Sequence, residues 1–375
     1  MDIPTLALES RKKGIQLVAT GDCLHPKWLD NIRKLEEENG FFRSDNISFV
    51  LTTEIEDMNK VHHLLIIPSI SKAEELYEVM KPYSTNIDSD GRPVVRLDAV
   101  QIAEMAKEAE ALIGPSHAFT PWTAMYAYYD SLQDCYKDMS NHIYFIELGL
   151  SADTLYADRI SELRCLTFLT NSDAHSPYVN KLAREFNRFE IQEMSFEELR
   201  KAIIRKKGRK PTLNVGMFPE EGKYNESACI RCYKHYTLKE SMINNWTCSC
   251  GGIIKKGVKD RVNELASYDT PHHPPHRPQY LHLIPLSEII ALALRTGTNT
   301  KGVQEIWNKL IERYGSEVCV LVDADIRNSG VDERVINAIK AFREERVIIH
   351  PGGGGRYGRI ELSDEHTEQK SLSDF

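Results

Sequence analysis

Residues 165–175 read CLTFLTNSDAH: an apolar run, CLTFLT, followed at once by Asp173 and His175. The run is too short for a buried helix and is bounded by turn-forming residues, so it reads as a strand with the polar pair just beyond its C-terminal end. The pattern recurs upstream. IQLVAT (15–20) leads into Gly21, Asp22 and then His25; ISFVLTT (47–53) leads into Glu54; ALIG (111–114) leads into His117 of GPSHAFTPW. IYFIELG (143–149) reads as a further buried strand, while HHLLII (62–67) starts on its imidazoles, His62 and His63.

Helix-like stretches at 26–39, 71–81, 99–110 and 154–164 lie between several of these runs. Such β–α alternation predicts a mainly parallel sheet, open or closed into a barrel. In a (β/α) barrel every parallel strand points its end at one rim, which gathers the residues that follow the strands into one site. Imidazoles and carboxylates together suit borderline cations such as Zn²⁺ or Mn²⁺, and bridging carboxylates can hold two of them about 4 Å apart. Such a pair activates water and holds a phosphate. A lone histidine such as His142 reads as surface or satisfied core.

In the order TGDxxHP, TTE, VHHL, GPSHAFTPW, FIELGLSAD and TNSDAHSP, these motifs resemble the polymerase-and-histidinol-phosphatase (PHP) family. The longer strings HAFTPWT, ELGLSADT and TNSDAHSPYVNKLAREFNRFE resemble its endonuclease Q branch, and the similarity continues into WNKLIERYGSEV and HPGGGGRYG. The resemblance implies an α/β fold: a PHP-type distorted (β/α)7 barrel over residues 1–212, binding two or three divalent metals (Zn²⁺, Mn²⁺ or Mg²⁺). The implied metal ligands are Asp22, His25, Glu54, His62, His117, Asp173 and His175, with His62 preferred over His63. Glu54 would bridge, and Asp173 would ligate one metal and contact the nucleophilic water; Asp173, Glu54 and His117 are the expected catalytic residues. The implied activity is a DNA repair endonuclease that hydrolyses the phosphodiester 5′ of uracil, hypoxanthine, xanthine or abasic sites.

PHP proteins open on a strand carrying His-x-His, which supplies two metal ligands, and this sequence contains no such motif. Its start, MDIPTLALESRKKGIQLVATGD, resembles the segment that normally follows that strand. Either the start codon lies further upstream or the chain is truly shortened. If shortened, the barrel lacks its first strand, exposes an unpaired edge and has an incomplete metal site, with activity reduced or absent.

Beyond residue 200 the character changes. RKAIIRKKGRKP (200–211) is strongly basic and reads either as a solvated helix end or as a phosphate-contacting patch. Residues 213–262 contain Cys229, Cys232, Cys248 and Cys250, spaced C-x₂-C-x₁₅-C-x-C. Four thiolates on two knuckles suit a closed, tetrahedral structural Zn²⁺ site of zinc-ribbon type. In the resembling family this unit helps grip DNA, so Lys255, Lys256, Lys259 and Arg261 become candidate phosphate contacts, with solvated charge the alternative. TPHHPPHRP (270–278) is too proline-dense for helix or central strand. Residues 279–350 read as mostly helical, and HPGGGGRYGRI (350–360) as a flexible turn or, through Arg356 and Tyr357, a DNA contact. Gln369, Leu372 and Phe375, in the polar tail, resemble the peptide that docks on PCNA-type sliding clamps.

The chain has 375 residues, 41% apolar and 27% charged, with a net charge of −8. That charge argues against non-specific coating of DNA by the whole surface, though not against a local basic face. No apolar stretch approaches the roughly 18 residues of a membrane span, and the N-terminus lacks the features of a signal peptide, so a cytoplasmic, nucleoid-associated protein is expected. Two further classes compete with the endonuclease: a PHP-type small-molecule phosphatase, for which the cysteine unit and tail are surplus, and a catalytically dead DNA- or clamp-binding protein.

Overall fold

The computed structural model describes residues 2–362. Its first sheet is built around Ile47–Glu56, a strand buried along nearly its whole length. Leu17–Ala19 joins its first half in parallel, with Leu17 opposite Ser48, and Phe41–Ser44 flanks the same stretch antiparallel. The second half pairs antiparallel with His62–Ile67, which in turn pairs antiparallel with Leu112–Pro115. Glu36–Glu38 completes the six strands. Phe145–Glu147 and Thr167–Leu169 form a parallel pair next to this sheet, so close that a Cβ on Gly114 would lie 2.4 Å from the Phe145 carbonyl oxygen.

The sequence-based expectation of a mainly parallel sheet is therefore corrected. Only residues 57–61 separate Ile47–Glu56 from His62–Ile67. That connection is far too short for a crossover helix and forces a hairpin. The Asp57 carboxylate shapes it by accepting from the backbone N–H groups of Asn59 and Val61, both at 2.8 Å. The described strands fall into separate sheets, so the ladders do not close a continuous barrel.

Two expected helices also shrink. The 26–39 stretch is helical only over Pro26–Ile32; Glu36–Glu38 is a strand that turns back onto Phe41–Ser44. Asn39 and Gly40, with φ of 54° and 79°, supply the two left-handed residues of that turn. Over 154–164 the helix Thr154–Ala157 gives way to a 3-10 turn at Ser161–Cys165.

A second, three-stranded sheet has Lys210–Gly216 at its centre, antiparallel to Phe186–Glu190 and parallel to Gln279–His282. Helices Leu286–Leu294, Lys301–Tyr314 and Glu333–Arg343 cover it through a core that includes Leu213, Val215, Ile290, Trp307, Ile339 and Phe342. The N-terminal helix Ile3–Lys13 docks here as well. Lys13, 1% exposed, ion-pairs with Glu317 at 2.6 Å and donates to the Val179 carbonyl at 2.5 Å. The proline-rich connector is pinned by buried Asp158, which accepts from Arg277 Nη2 at 2.7 Å and faces His273 Nδ1 at 2.7 Å.

The glycine-rich segment is not the flexible turn its composition predicts. It links the antiparallel strands Val347–His350 and Arg359–Leu362 and lies along the cysteine unit: Glu226 N–H donates to the Gly352 carbonyl at 3.0 Å and Gly355 N–H to that of Lys223 at 2.9 Å. At Gly354, with φ of 64°, a Cβ would lie 2.5 Å from the Cys229 carbonyl oxygen. Glycine is there because two backbones touch. Among the described residues no helix is long and apolar enough to cross a membrane.

Candidate metal centre

The hairpin sets the site. Glu56 stands opposite His62 in its register, so Glu54, Glu56 and His62 share one face of the sheet. His62 Nε2 contacts Glu56 Oε2 at 3.0 Å, which leaves Nδ1 directed at Glu54 Oε1, 2.9 Å away. His117 enters from the loop after Leu112–Pro115. Its Nε2 lies 3.1 Å from His62 Nδ1 and 3.4 Å from Glu54 Oε2. These three donors converge on one point.

The spacing fits an ion. Ligands about 2.0–2.2 Å from a metal in tetrahedral or octahedral geometry stand roughly 3.0–3.5 Å from one another. Two imidazole nitrogens facing each other at 3.1 Å beside a carboxylate are a coordination set more readily than a hydrogen-bond network, since at most one proton fits between the rings. The Glu/His cluster could therefore hold a metal ion. His63 points the other way, with Nδ1 2.7 Å from the Tyr136 hydroxyl and Nε2 3.3 Å from Asp57 Oδ2.

Electrostatics keep the cluster charged. Burial opposes ionisation of Glu54, but hydrogen bonds and positive charge from His117 and His62 outweigh it and hold the carboxyl far below its ordinary range. Arg92 Nη1 adds a contact to Glu54 Oε1 at 3.0 Å. Burial would depress His117, yet Glu54 outweighs it and raises the imidazole, with Glu147 and Asp173 contributing. Buried Glu147 accepts the His117 N–H at 2.8 Å and the Asn171 side chain at 2.8 Å. Desolvation pushes its carboxyl up to about 7 against those contacts.

The other expected ligands surround this cluster without joining it. Asp173 and His175 are exposed on its rim, with Asp173 Oδ1 3.3 Å from His175 Nε2. Asp22 lies within electrostatic reach of His175, Glu54 and His25. His25 immediately precedes the helix Pro26–Ile32, in extended conformation. Asp22, His117 and Asp173 all have positive φ, at 47°, 28° and 43°. Sequence reasoning missed Glu56, Arg92, Glu147 and Asn171. Glu147 alone carried a signal, as a carboxylate at the end of an apolar run.

The cysteine unit is a second candidate site. Cys229 Sγ lies 3.6 Å from Cys250 Sγ and Cys232 Sγ 3.5 Å from Cys248 Sγ, near the roughly 3.8 Å edge of a tetrahedral thiolate site. The backbone N–H of Cys250 and the Tyr236 hydroxyl lower the Cys248 thiol to about 6, which favours the ligating thiolate. Of the candidate DNA contacts nearby, Lys256 pairs with Glu264 at 2.6 Å, Lys259 with Glu226 at 2.9 Å and Arg261 with Asp130 at 2.6 Å. Lys255 stacks on Trp122 instead, while Arg356 and Tyr357 are exposed. In the 200–211 run, Lys201 and Arg209 pair with Glu198 and Arg205 donates to the Cys165 carbonyl, so part of that charge serves the fold. Gln369, Leu372 and Phe375 lie outside the described residues.

Residues 285–346 match the family described as the MJ0043 C-terminal domain. The chain is 45% identical over 259 residues to the uncharacterized protein MJ0043 of Methanocaldococcus jannaschii, a match covering 67% of this chain and 32% of that protein. The matched region thus spans about a third of MJ0043. The uncharacterized protein YqxK of Bacillus subtilis is 29% identical over 368 residues, covering 94% of this chain and 90% of YqxK. The crystal structure of the lesion-specific endonuclease PfuEndoQ from Pyrococcus furiosus superposes with a TM-score of 0.94 at 48% identity, covering 100% of this chain and 94% of that one. Endonuclease Q in complex with a 27-mer duplex substrate, an abasic lesion at its active site, gives 0.91 at 48% identity, with 99% and 95% covered. With half the residues shared along almost the full length of both chains, this chain belongs to the endonuclease Q family.

Proposed function

We propose that this chain is a metal-dependent endonuclease that cuts DNA at damaged positions. The observation that carries the reading is the convergence of Glu54, His62 and His117 on one point, in a chain so similar to an endonuclease Q holding abasic duplex at its active site. The finer reading is hydrolysis of the phosphodiester 5′ of uracil, hypoxanthine, xanthine or an abasic site. A poorly paired or missing base lowers the work of opening the duplex, which favours such substrates.

Glu54, His62 and His117 would hold the first ion, with Asp22, His25, Asp173 and His175 as further ligands at the open side. Bound divalent metal would supply a nucleophilic water at neutral pH and charge to offset the phosphate. The chain's own groups do the rest. Glu56 fixes the His62 ring so that Nδ1 faces the centre, and Arg92 donates to the Glu54 carboxylate. Glu147 fixes the strained backbone of His117. Asp173, on the rim, would accept a hydrogen bond from the attacking water. The four cysteines would form a closed structural zinc site, and the Gln369–Phe375 tail would tether the enzyme to a sliding clamp.

The test is nicking of end-labelled duplex carrying one deoxyinosine, deoxyuridine or abasic site, with Mg²⁺, Mn²⁺ or Zn²⁺. The expected result is a metal-dependent cut immediately 5′ of the lesion, lost in Asp173→Asn and Glu54→Gln. Wild-type protein that leaves all three substrates intact, or Asp173→Asn that still cuts, overturns the reading.

A further inference from the structure

A chain of side-chain amides runs from the second sheet to the metal centre. Asn187 and Asn214 stand opposite each other in that sheet's antiparallel pair, and Asn214 Nδ2 donates to Asn187 Oδ1 at 2.8 Å. Asn187 Nδ2 donates to Asn171 Oδ1 at 3.0 Å, and Asn171 Nδ2 to Glu147 Oε1 at 2.8 Å. The other oxygen of Glu147 accepts the backbone N–H of His117. We propose that Asn187 and Asn214 are positioning residues for the metal centre, acting through Asn171 and Glu147 on the backbone of His117. The proposal rests on the metal-dependent endonuclease reading and adds to its machinery two residues of the second sheet.

Three observations support it. The first is direction. Asn187 Oδ1 accepts the Thr170 N–H at 2.8 Å and its Nδ2 donates to the Thr170 carbonyl at 3.0 Å. A backbone N–H only donates and a carbonyl only accepts, so the Asn187 amide can take one orientation alone. Asn171 must then present Oδ1 to Asn187 and Nδ2 to Glu147. All the amide donors therefore point toward the carboxylate, an arrangement in which each bond polarises the next. The second is what Asn187 stands in for. The strand Thr167–Leu169 ends one residue before Thr170, and there the Asn187 side chain pairs with both backbone groups of Thr170, as a peptide group of a neighbouring strand would. The backbone held in this way reaches Asp173 within three residues.

The third is the penalty carried by Asn214. It is 0% exposed on the central strand of the three-stranded sheet, and its Oδ1 has no partner among the described residues. An apolar side chain there would leave no polar atom desolvated, so stability of the sheet alone does not call for an amide. The other end of that amide is engaged: Nδ2 donates to Asn187 and to the Phe168 carbonyl at 3.1 Å, and so ties the central strand to the strand that leads into the Asp173 loop.

The experiment titrates Mn²⁺ against the full chain and follows free aqueous Mn²⁺ by electron paramagnetic resonance, with Glu54→Gln marking the binding that belongs to the cluster. Asn187→Ala and Asn214→Ala are each expected to weaken that binding, and to lower kcat for nicking, roughly 10- to 100-fold, as loss of a group supporting metal ligands does. KM for the lesion duplex should stay within about threefold. Asn187 is half-buried, so its variant keeps the test sound should Asn214→Ala fold poorly. Because the amides act in series, Asn171→Ala with Asn187→Ala should bind Mn²⁺ no more than about threefold more weakly than Asn171→Ala alone. Trp307→Phe removes the hydrogen bond to Glu317 in the helical core; it should lower the melting temperature yet leave Mn²⁺ affinity within about twofold. The proposal is overturned if Asn187→Ala binds Mn²⁺ within about twofold of wild type, if the Asn171 and Asn187 losses multiply, or if Trp307→Phe loses as much Mn²⁺ affinity as Asn187→Ala. Nicking is scored separately: a wild type whose Mn²⁺ binding depends on Asn187 but which never cuts refutes the endonuclease and leaves the positioning role standing, while a wild type that cuts with an unaltered Asn187→Ala variant does the reverse.

Discussion

Replacing Lys13 by Met should destabilise the junction between the N-terminal helix and the helical unit by about 3 kcal/mol. Lys13 and Glu317 have side chains only 1% and 3% exposed and meet at 2.6 Å, so neither charge has water to fall back on. Removing one member of a buried pair typically costs about 3–5 kcal/mol, because the other is left uncompensated. Glu317 keeps hydrogen bonds from the Leu286 N–H at 3.1 Å and Trp307 Nε1 at 2.7 Å, which places the cost near the lower end. Met fills nearly the same volume, so no large cavity adds to it. For a unit of this size the loss corresponds to roughly 6–12 °C in melting temperature. Calorimetry of the full chain reads the shift. Lys13→Met combined with Glu317→Gln should restore much of it, since the orphaned charge is gone. Because Lys13 also donates to the Val179 carbonyl, amide exchange around residues 176–182 should quicken in the single variant. A shift under about 2 °C, or a double variant no better than Lys13→Met, would refute the argument that this pair is a buried, coupled contact.

Buried Glu185 gives a pH test. Desolvation pushes its carboxyl from 4.5 up to about 8 against the Met217 N–H it accepts, and its Oε2 has no partner among the described residues. A raised folded value means that its contribution is fully present below pH 4.5 and lost as pH climbs through about 8. Glu185→Gln keeps the Oε1 acceptor and removes the titration, so its stability relative to wild type should rise by up to about 1.4 kcal/mol per pH unit across that window. Urea denaturation at pH 5, 6.5 and 8 checks this, and a difference independent of pH would sink it. Gly354→Ala places a methyl group 2.5 Å from the Cys229 carbonyl oxygen in a left-handed conformation. It should accelerate release of zinc loaded on the cysteine unit, followed with a colorimetric chelator; unchanged release would show that the glycine-rich segment does not brace that site.

Part of the candidate metal centre was legible because polar residues that follow apolar runs announce themselves. Glu54, His117, Asp173 and His175 each follow an apolar run; the structure brings Glu54 and His117 together with His62, while Asp173 and His175 stay exposed outside that cluster. What was not legible came from pairing partners distant in sequence. Nothing near Lys13 in the sequence signals its burial, which depends on Glu317, 304 positions away. The glycine-rich segment reads as a flexible turn because composition reports conformational freedom, not the backbone it is pressed against. The Asn39–Gly40 hairpin, like Glu147, was a local signal overlooked: an Asn-Gly pair inside a charged stretch that reads as the end of a helix.

The choice between His62 and His63 shows how one missed turn propagates. Under a parallel β–α reading, nothing in the residues themselves decides which imidazole faces the site, and only family resemblance favoured His62. The hairpin decides it by geometry. Five residues between Glu56 and His62 allow no crossover, so the strands must be antiparallel, and Glu56 then stands opposite His62 while Ile55 stands opposite His63. Side chains alternate, so His62 joins Glu54 and Glu56 on one face. His63 joins Ile55 on the other, where Tyr136 and Asp57 receive it. A ligand doublet next to a short loop is thus an arithmetic problem in register. Moving the turn by one residue would swap the two imidazoles, and the site would lose the nitrogen that faces Glu54.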